Sequence, residues 1–466
     1  MIRSILNVMN ERFVFADRDQ LLLLPCDLRE WIPEDDFVNF VIEAVDNIPV
    51  DKFKTNLRGS GSRQYHPHLM LALLIYCYAN GVFGSRRIER ATHRDIAVRY
   101  LCANTHPDHD TICTFRRENY TAIAEAFLYV LKLARELKLL KVGTISVDTT
   151  KIRANASKAK SLRYDRACEL EQQLKADIEE LLKKAEVADE RDSADSQKLP
   201  DEINRRAKLH EKMLKARTQL EAQAKARAAA ERREYEKKIA QRKDRNHPGK
   251  PPKPPCADPR PQEQTNLTDK DSRLMRRSKQ GEYMQAYNSH AVVDASGSQL
   301  ILGARLSQCA GEHNELAVDV RSMPTTAGTP SRVLADTGFA SEDDVAALES
   351  DGIEVLVPVD SEAQQNPRRY DFRPPKKQKN NKIKHGKYAK AWVGRMAEKM
   401  QTNKARSAYR LRKQTVEPVF GVIKHVMGFR QFLLRGLDKA ELEWLLVATS
   451  YNFRRLFTLK AQLHPA

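Results

Sequence analysis

The sequence predicts an α/β protein with a helical N-terminal region and a long helical insertion. Apolar residues recur at helical spacing through the first 140 residues, and a charged helical pattern runs from 158 to about 245. From residue 263 onward, short β-branched runs such as residues 353–359 alternate with helical segments. This alternation is typical of a sheet flanked by helices.

The composition limits the class of protein. A chain of 466 residues can form two or three domains, and its formal net charge of +18 indicates an anionic partner such as nucleic acid. The longest apolar run, residues 69–79, is too short to span a bilayer, and charges from Arg3 onward interrupt any signal-peptide core. Seven scattered cysteines, none in a CxxC pair, favour reduced thiols over a zinc site or a disulfide framework. We therefore expect a cytoplasmic protein.

Four segments follow from these patterns. Residues 1–140 form a helical domain, which is either a DNA-binding helix bundle or an ordinary bundle with a solvated basic face. Residues 141–157 hold the first strand of the α/β core, around Ile145 and Val147. Residues 158–262 are interpreted as a helical hairpin or coiled coil closed by a Pro-rich linker, or as a solvated insertion without chemistry. Residues 263–460 complete the core.

One short motif in the N-terminal segment has two interpretations. His106 and His109, with Asp108 and Asp110, could suggest a metal site. The proline at 107 and the helical residues that follow favour a turn and a helix start, with Asp110 or Thr111 as the N-cap.

Most of the excess positive charge lies in residues 366–413. This segment has seventeen Lys or Arg and only two acids, with five aromatic residues among them. A solvated charge run is the common alternative, but the aromatic interleaving favours contact with a nucleic-acid backbone. The candidate DNA-binding residues here are Lys376, Lys377, Lys379, Arg410, Arg412 and Lys413.

Three acids are candidates for chemistry. Asp148 and Asp336 each end a predicted strand, and Glu417 lies on a predicted helix with Pro418 near its first turn. If the three converge they repel one another unless cations bind, and oxygen ligands suit Mg²⁺ or Mn²⁺. Two such ions ~3.5–4 Å apart can assist phosphoryl transfer. An isolated aspartate at a strand end is more often a turn former or an N-cap.

A lysine supports the same interpretation. Lys424 lies seven residues after Glu417, which predicts that both side chains share one helix face, and Gly421 lies between them. Lys424 could then hold a DNA phosphate beside the acids.

Several motifs, in the same order along most of the chain, resemble the DDE-type transposases of bacterial insertion sequences. They are Tyr65-His-Pro, Ser85-Arg-Arg-Ile-Glu, Pro107-Asp-His-Asp-Thr-Ile-Cys-Thr-Phe-Arg-Arg, Ser146-Val-Asp-Thr-Thr-Lys, Asn266-Leu-Thr-Asp-Lys-Asp-Ser-Arg-Leu-Met, Tyr287-Asn, Leu334-Ala-Asp-Thr-Gly-Phe, Arg412-Lys-Gln-Thr-Val-Glu-Pro-Val-Phe-Gly-Val-Ile-Lys, Gly428-Phe-Arg and Leu434-Arg-Gly-Leu. The resemblance implies a ribonuclease-H-like catalytic domain in which Asp148, Asp336 and Glu417 bind two Mg²⁺ or Mn²⁺ ions.

The sequence departs from the family pattern at two places. Some relatives carry Tyr, Arg, Glu and Lys at fixed spacing; here Lys424 matches the lysine, but Lys413 holds the arginine position and Arg410 the tyrosine position. Lys does not reproduce the bidentate fork of Arg, although Arg412 is adjacent. His290 replaces a glutamine near Tyr287, and we interpret it as a packed or solvent-facing strand residue rather than a ligand.

The resemblance implies a transposase that cuts double-stranded DNA at the inverted repeats of its own element and joins the ends to a target. It also implies a homo-oligomer, at least a dimer, that is cytoplasmic and associated with the nucleoid when bound to DNA. Three alternatives remain: a catalytically inactive DNA-binding descendant, a metal-dependent phosphohydrolase, and a coiled-coil interaction protein built on residues 158–245. The phosphohydrolase is disfavoured because Val147-Asp-Thr-Thr-Lys lacks a second aspartate two residues on.

Overall fold

The computed structural model describes residues 27–55, 64–190, 199–245, 252–276, 281–359 and 391–463. In these ranges helices precede a mixed sheet, and a helical hairpin interrupts the sheet after its first strand. Among the described helices, none combines the length and the apolar character needed to cross a membrane.

The described N-terminal part of the chain is helical. Its α-helices are α1 (Phe37–Asp46), α2 (Pro67–Ala79), α3 (Ser85–Arg94), α4 (Ile96–Leu101), α5 (His109–Glu118) and α6 (Tyr120–Glu136). Helix α2 starts at a proline, whose fixed φ suits the first helical position, and most of its side chains are buried. It therefore forms the centre of the helical layer.

The motif at residues 106–110 is a turn with a helix cap. Asp108 is the N-cap of α5, since its carboxylate accepts hydrogen bonds from the amides of Asp110 and Thr111. The predicted cap at Asp110 or Thr111 was wrong because the helix begins one turn earlier than that prediction assumed. The His109 ring bonds to Glu89, and the His106 ring stacks on His93.

A six-stranded mixed sheet and a small two-stranded ribbon follow. The strands are β1 (Thr144–Arg153), β2 (Ser161–Arg163), β3 (Gln264–Asn266), β4 (Arg273–Arg276), β5 (Tyr283–Asp294), β6 (Ile301–Ser307), β7 (Arg332–Leu334) and β8 (Glu354–Leu356). Strand β1 is central: it pairs antiparallel with β5 and parallel with β7, which pairs parallel with β8. Strands β4 and β6 both pair antiparallel with β5. The sheet is thus antiparallel on one side of β1 and parallel on the other.

Two long helices form the insertion, α7 (Tyr164–Glu190) and α8 (Leu199–Arg245). They pack through a narrow apolar seam that includes Leu174 and Met213. Cross-helix ion pairs join Arg206 to Asp177 at 2.7 Å and Arg217 to Glu171 at 3.0 Å. The base of the hairpin is closed by the β2–β3 ribbon.

The remaining helices are α9 (Leu316–Arg321), α10 (Glu342–Ser350), α11 (Ala391–Gln401), α12 (Asn403–Gly421) and α13 (Leu437–Leu463), with a π-helix at Val422–Val426. Helix α13 packs on α2, α6 and β6. One continuous apolar core therefore joins the N-terminal helices to the sheet.

Helix α12 differs from its predicted start. Thr402 caps it, so Pro418 lies near its C-terminal end and not in its first turn. A proline inside a helix leaves the carbonyl four residues earlier without its usual donor. Here Gln299 Nε2 donates to Gln414 O at 2.8 Å, which satisfies that carbonyl and makes the interior proline tolerable.

A buried charged network fastens the N-terminal helices to α13. Glu443 is fully buried and accepts hydrogen bonds from Tyr78 of α2 at 2.9 Å and from the amides of Leu433 and Leu434 at 2.8 and 3.0 Å. Arg116 of α5 donates to Tyr78 Oη at 2.8 Å and lies 3.8 Å from Glu443. Burial and the nearby Glu443 charge raise the pKa of Tyr78, so its phenol remains a donor.

Removing Glu443 tests this network. Glu443→Ala leaves Arg116 as a buried charge without its carboxylate partner and two amides without an acceptor, so we expect a loss of about 3–5 kcal/mol in the free energy of unfolding. Urea denaturation measures it. Glu136→Ala on the exposed face of α6 is the control, with an expected change within about 0.5 kcal/mol. Equal effects of the two substitutions would contradict the role of the network.

The ends of the hairpin lie together, so it should be removable. Tyr164 N donates to Glu263 O at 2.9 Å, and a short Gly-Ser linker in place of residues 165–262 can bridge that gap. The deletion removes few contacts with the core. One of them is the hydrogen bond that Gln219 Nε2 donates to Lys270 O, at 3.0 Å. We expect cooperative thermal unfolding with a loss of about 1–2 kcal/mol. Loss of cooperativity, measured by near-ultraviolet circular dichroism, would show that the insertion organises the core.

Candidate active site

The parallel register of β1 and β7 places Asp148 and Asp336 side by side. Ser146 pairs with Leu334, and each aspartate follows its strand partner by two residues. Asp148 lies inside β1, not at its end as predicted, because β1 continues to Arg153 along its other neighbour, β5. Asp336 lies just beyond β7 and caps the short turn Thr337–Phe339. The two aspartates are thus the first acids beyond the paired part of the two strands.

Arg412 of α12 joins the two carboxylates. Its Nη2 lies 3.0 Å from Asp148 Oδ2 and 3.5 Å from Asp336 Oδ2, and its side chain is 7% exposed. The other oxygen of each aspartate accepts the amide of the next residue, Thr149 at 2.8 Å and Thr337 at 2.7 Å. The positive charge of Arg412 therefore neutralises part of the negative charge of the two aspartates, which the pairing of β1 and β7 brings together.

Burial changes the pKa of the Asp148 carboxyl. Desolvation raises its pKa from 3.8 to about 6, although Arg412 and the Thr149 amide oppose the shift. The charges of Glu312 and Asp336 raise it further. Asp336 is more accessible, with 46% of its side chain exposed.

Glu312 was missed in the sequence. It lies in the loop between β6 and α9, and Thr149 Oγ1 donates a hydrogen bond to it. The loop has no strand end or periodic pattern that marks an acid as functional. Only its packing against Thr149 of β1 and the turn after β7 brings Glu312 to the aspartates.

Glu417 occupies a different position from the two aspartates. It is exposed on α12, five residues after Arg412, a spacing that turns its side chain well away from Arg412 around the helix. Its charge still contributes to raising the pKa of Arg412, where Asp148 and Asp336 outweigh the opposing effect of burial. The predicted triad is therefore seen as an adjacent pair with the third acid nearby.

The candidate DNA-binding residues differ in where they lie and in how exposed they are. Lys424 donates to Thr150 Oγ1, two residues after Asp148 on the same face of β1. The π-helix that begins at Val422 contains Lys424, and it alters the regular helix spacing from which a shared face with Glu417 was predicted. Arg410 and Lys413 are exposed on α12, whereas Arg412 is buried. Lys376, Lys377 and Lys379 are outside the described residues.

The carboxylates of Asp148 and Asp336 are hard oxygen ligands of the kind that suits a divalent metal ion. In this structure the guanidinium of Arg412 lies between them, so an ion that they share would have to displace it. In the described part of the chain, no group of three or more His, Cys, Asp or Glu is placed to hold a metal.

His290 is a packed strand residue, one of the two alternatives expected for it. It is 1% exposed, and its Nδ1 lies 2.7 Å from Asp319 Oδ2. Arg305 also bonds to Asp319, at 2.9 Å through Nε. This ionic cluster fastens α9 to β5 and β6 behind the site.

The raised pKa of Asp148 predicts a gain in stability on neutralisation. A carboxyl whose pKa is higher in the folded than in the unfolded protein lowers the free energy of unfolding when it ionises. For Asp148 this loss grows as the pH rises from 3.8, the reference pKa, through about 6, the pKa in the folded protein. A shift of about two units corresponds to at most about 3 kcal/mol. We expect Asp148→Asn to be more stable than wild type above this window, and the advantage to shrink below it. Urea midpoints measured in EDTA on both sides of the window test this.

Asp343→Asn, at an exposed acid of α10, is the matched control for that titration. It should follow the wild-type pH dependence. A difference between Asp148→Asn and wild type that does not change with pH would contradict the raised pKa.

Comparison with protein families supplies the function. Residues 259–453 match the family model of the transposase DDE domain, and residues 26–118 match that of a second transposase domain. Neither a curated protein nor a solved structure matches the chain. The first match contains Asp336 and Glu417, and the two matches together cover more than half of the chain. The chain therefore belongs to the DDE transposases of insertion sequences, which cleave and transfer DNA strands.

Proposed function

We propose that this transposase cuts and joins DNA at the cluster formed by Asp148 and Asp336, with Glu417 as the third acid. The observation that carries the proposal is the parallel register that sets the two aspartates side by side at one edge of the paired strands. The substrates are the terminal inverted repeats of its own element and a target duplex.

The sheet supports a ribonuclease-H-like core. The mixed order, with β1 between an antiparallel β5 and a parallel β7, is compatible with it. In this proposal residues 141–157 and 263–460 form the catalytic core, residues 1–140 a DNA-binding domain, and residues 158–262 a peripheral insertion.

Divalent metal ions are typical of the family, and the proposed ions are Mg²⁺ or Mn²⁺, two per site. Bound ions would activate the attacking oxygen and stabilise the departing one. Arg412 has to leave both aspartates before ions can bind between them. A DNA phosphate is a suitable competitor, because Arg binds phosphate in the same bidentate manner as carboxylate.

Positive residues on two sides of the site favour DNA as the ligand. Arg410, Lys413 and Lys424 lie on α12 and the π-helix that follows it. On α3, Arg86, Arg87, Arg90 and Arg94 are exposed. The turn before α3 packs on the loop after the π-helix, with the rings of Phe83 and Phe429 5.2 Å apart. We propose that one duplex contacts both surfaces through its phosphates.

Assembly and location are also part of the proposal. Pairing two element ends requires at least two active sites, so we propose a homodimer or a larger oligomer during synapsis. The protein would act in the cytoplasm, on the nucleoid.

One observation favours a second candidate, an inactive DNA-binding descendant. Arg412 neutralises part of the charge of the two aspartates, and Glu417 is exposed on α12 rather than beside them. A descendant of this kind would bind DNA without cutting it.

Single substitutions of the acids separate the two candidates. Asp148→Ala, Asp336→Ala and Glu417→Ala should each lower the cleavage rate at least ~100-fold, because each removes a group that helps to stabilise charge in the transition state. Each should leave DNA affinity within about threefold, because no phosphate contact is removed. The assay is single-turnover cleavage of a plasmid that carries the DNA flanking the gene, with Mg²⁺ or EDTA.

Asp343→Asn is again the matched control and should cleave like wild type. Cleavage by all three alanine variants would overturn the assignment of the acids. Binding without cleavage by the wild type in Mg²⁺ and in Mn²⁺ would favour the inactive descendant.

A further inference from the structure

One carboxylate touches both of the segments that carry the aspartates. Glu312 accepts a hydrogen bond from Thr149, the residue after Asp148, through Oε1. Its Oε2 lies against Gly338, two residues after Asp336. The loop between β6 and α9 thus reaches the end of the paired region of β1 and the turn after β7 with a single side chain.

Gly338 reveals how close this contact is. A Cβ on Gly338 would collide with Glu312 Oε2. The backbone does not demand glycine there, because Gly338 lies in the regular turn Thr337–Phe339 and does not have a positive φ. A side chain at position 338 would therefore require the carboxylate of Glu312 to move.

Glu312 approaches from the side opposite to α12. Successive residues of a strand point to opposite faces, so Thr149 faces away from the Asp148 side chain and towards Glu312. Arg412 holds the two aspartates from the α12 side. The two aspartate segments are thus fastened from both faces of the sheet.

We propose that Glu312 is a positioning residue of the proposed active site, which holds β1 at Thr149 against the turn after β7 so that Asp148 and Asp336 stay side by side. It acts through Thr149 and Gly338. The inference rests on the proposed catalytic role of the two aspartates.

Three variants remove this contact by different routes. Glu312→Ala deletes the acceptor, Thr149→Val deletes the donor at nearly the same volume, and Gly338→Ala displaces the carboxylate while keeping its charge. A misplacement of about 1 Å in an active site can cost ~100-fold in rate. We expect each variant to slow single-turnover cleavage at saturating protein ~10- to 100-fold, with DNA affinity unchanged.

Glu312→Gln distinguishes positioning from charge. Its amide oxygen still accepts a hydrogen bond from Thr149, so we expect cleavage within about threefold of wild type. Asp343→Asn is the control for removal of an acid elsewhere. Fluorescence anisotropy with a duplex cut from the gene's flanking DNA reports binding, and thermal unfolding reports folding.

The outcomes are distinct. Wild-type cleavage rates for Thr149→Val and Gly338→Ala in folded protein would overturn the inference. A loss in Glu312→Gln as large as in Glu312→Ala would also overturn it, in favour of a role for the charge. Cleavage by Asp148→Ala, Asp336→Ala and Glu417→Ala alike would instead overturn the proposed assignment of the acids, so the two failures are separable.

Discussion

The parallel pairing of β1 with β7 sets the two aspartates of the proposed active site side by side. Only three residue pairs form it, from Thr144 and Arg332 to Ser146 and Leu334, yet they join segments separated by nearly two hundred residues. The register sets Asp148 and Asp336 at equivalent positions, and a slip by one residue would turn one of them to the other face. The long hairpin between these segments is tolerated because its two ends meet at the β2–β3 ribbon.

The charged groups at this site come from four elements of the fold. Arg412 comes from α12 and Glu312 from the loop after β6, while the aspartates belong to β1 and the turn after β7. Partial neutralisation by one guanidinium leaves excess negative charge, and burial raises the pKa of Asp148. Such a site is costly for the folded protein and suited to attracting cations. The same property makes Arg412 a competitor for any ion that binds between the aspartates.

The buried network around Glu443 connects the helical layer to this arrangement. It bonds α13 to Tyr78 and Arg116 in the N-terminal helices and to the amides of Leu433 and Leu434, which follow the π-helix. Helix α3, which carries the exposed arginines, and the elements that carry the proposed catalytic acids all bury apolar side chains in one continuous core, among them Ile88, Val147 and Val416.

Local patterns in the sequence are enough to predict the helices and the strands. Hydrophobic periodicity and β-branched runs predicted the helices, the hairpin, the strand that contains Asp148 and the strand that precedes Asp336. The ordered motifs indicated the family that the domain matches support. Which side chains meet depends on contacts between distant segments. Arg412 lies between the aspartates, Glu312 accepts a hydrogen bond from Thr149, and Glu417 is exposed nearby. The tertiary structure also corrected the cap at Asp108 and the place of Pro418, whose tolerance depends on Gln299. These contacts join residues far apart along the chain, and no local periodicity encodes them.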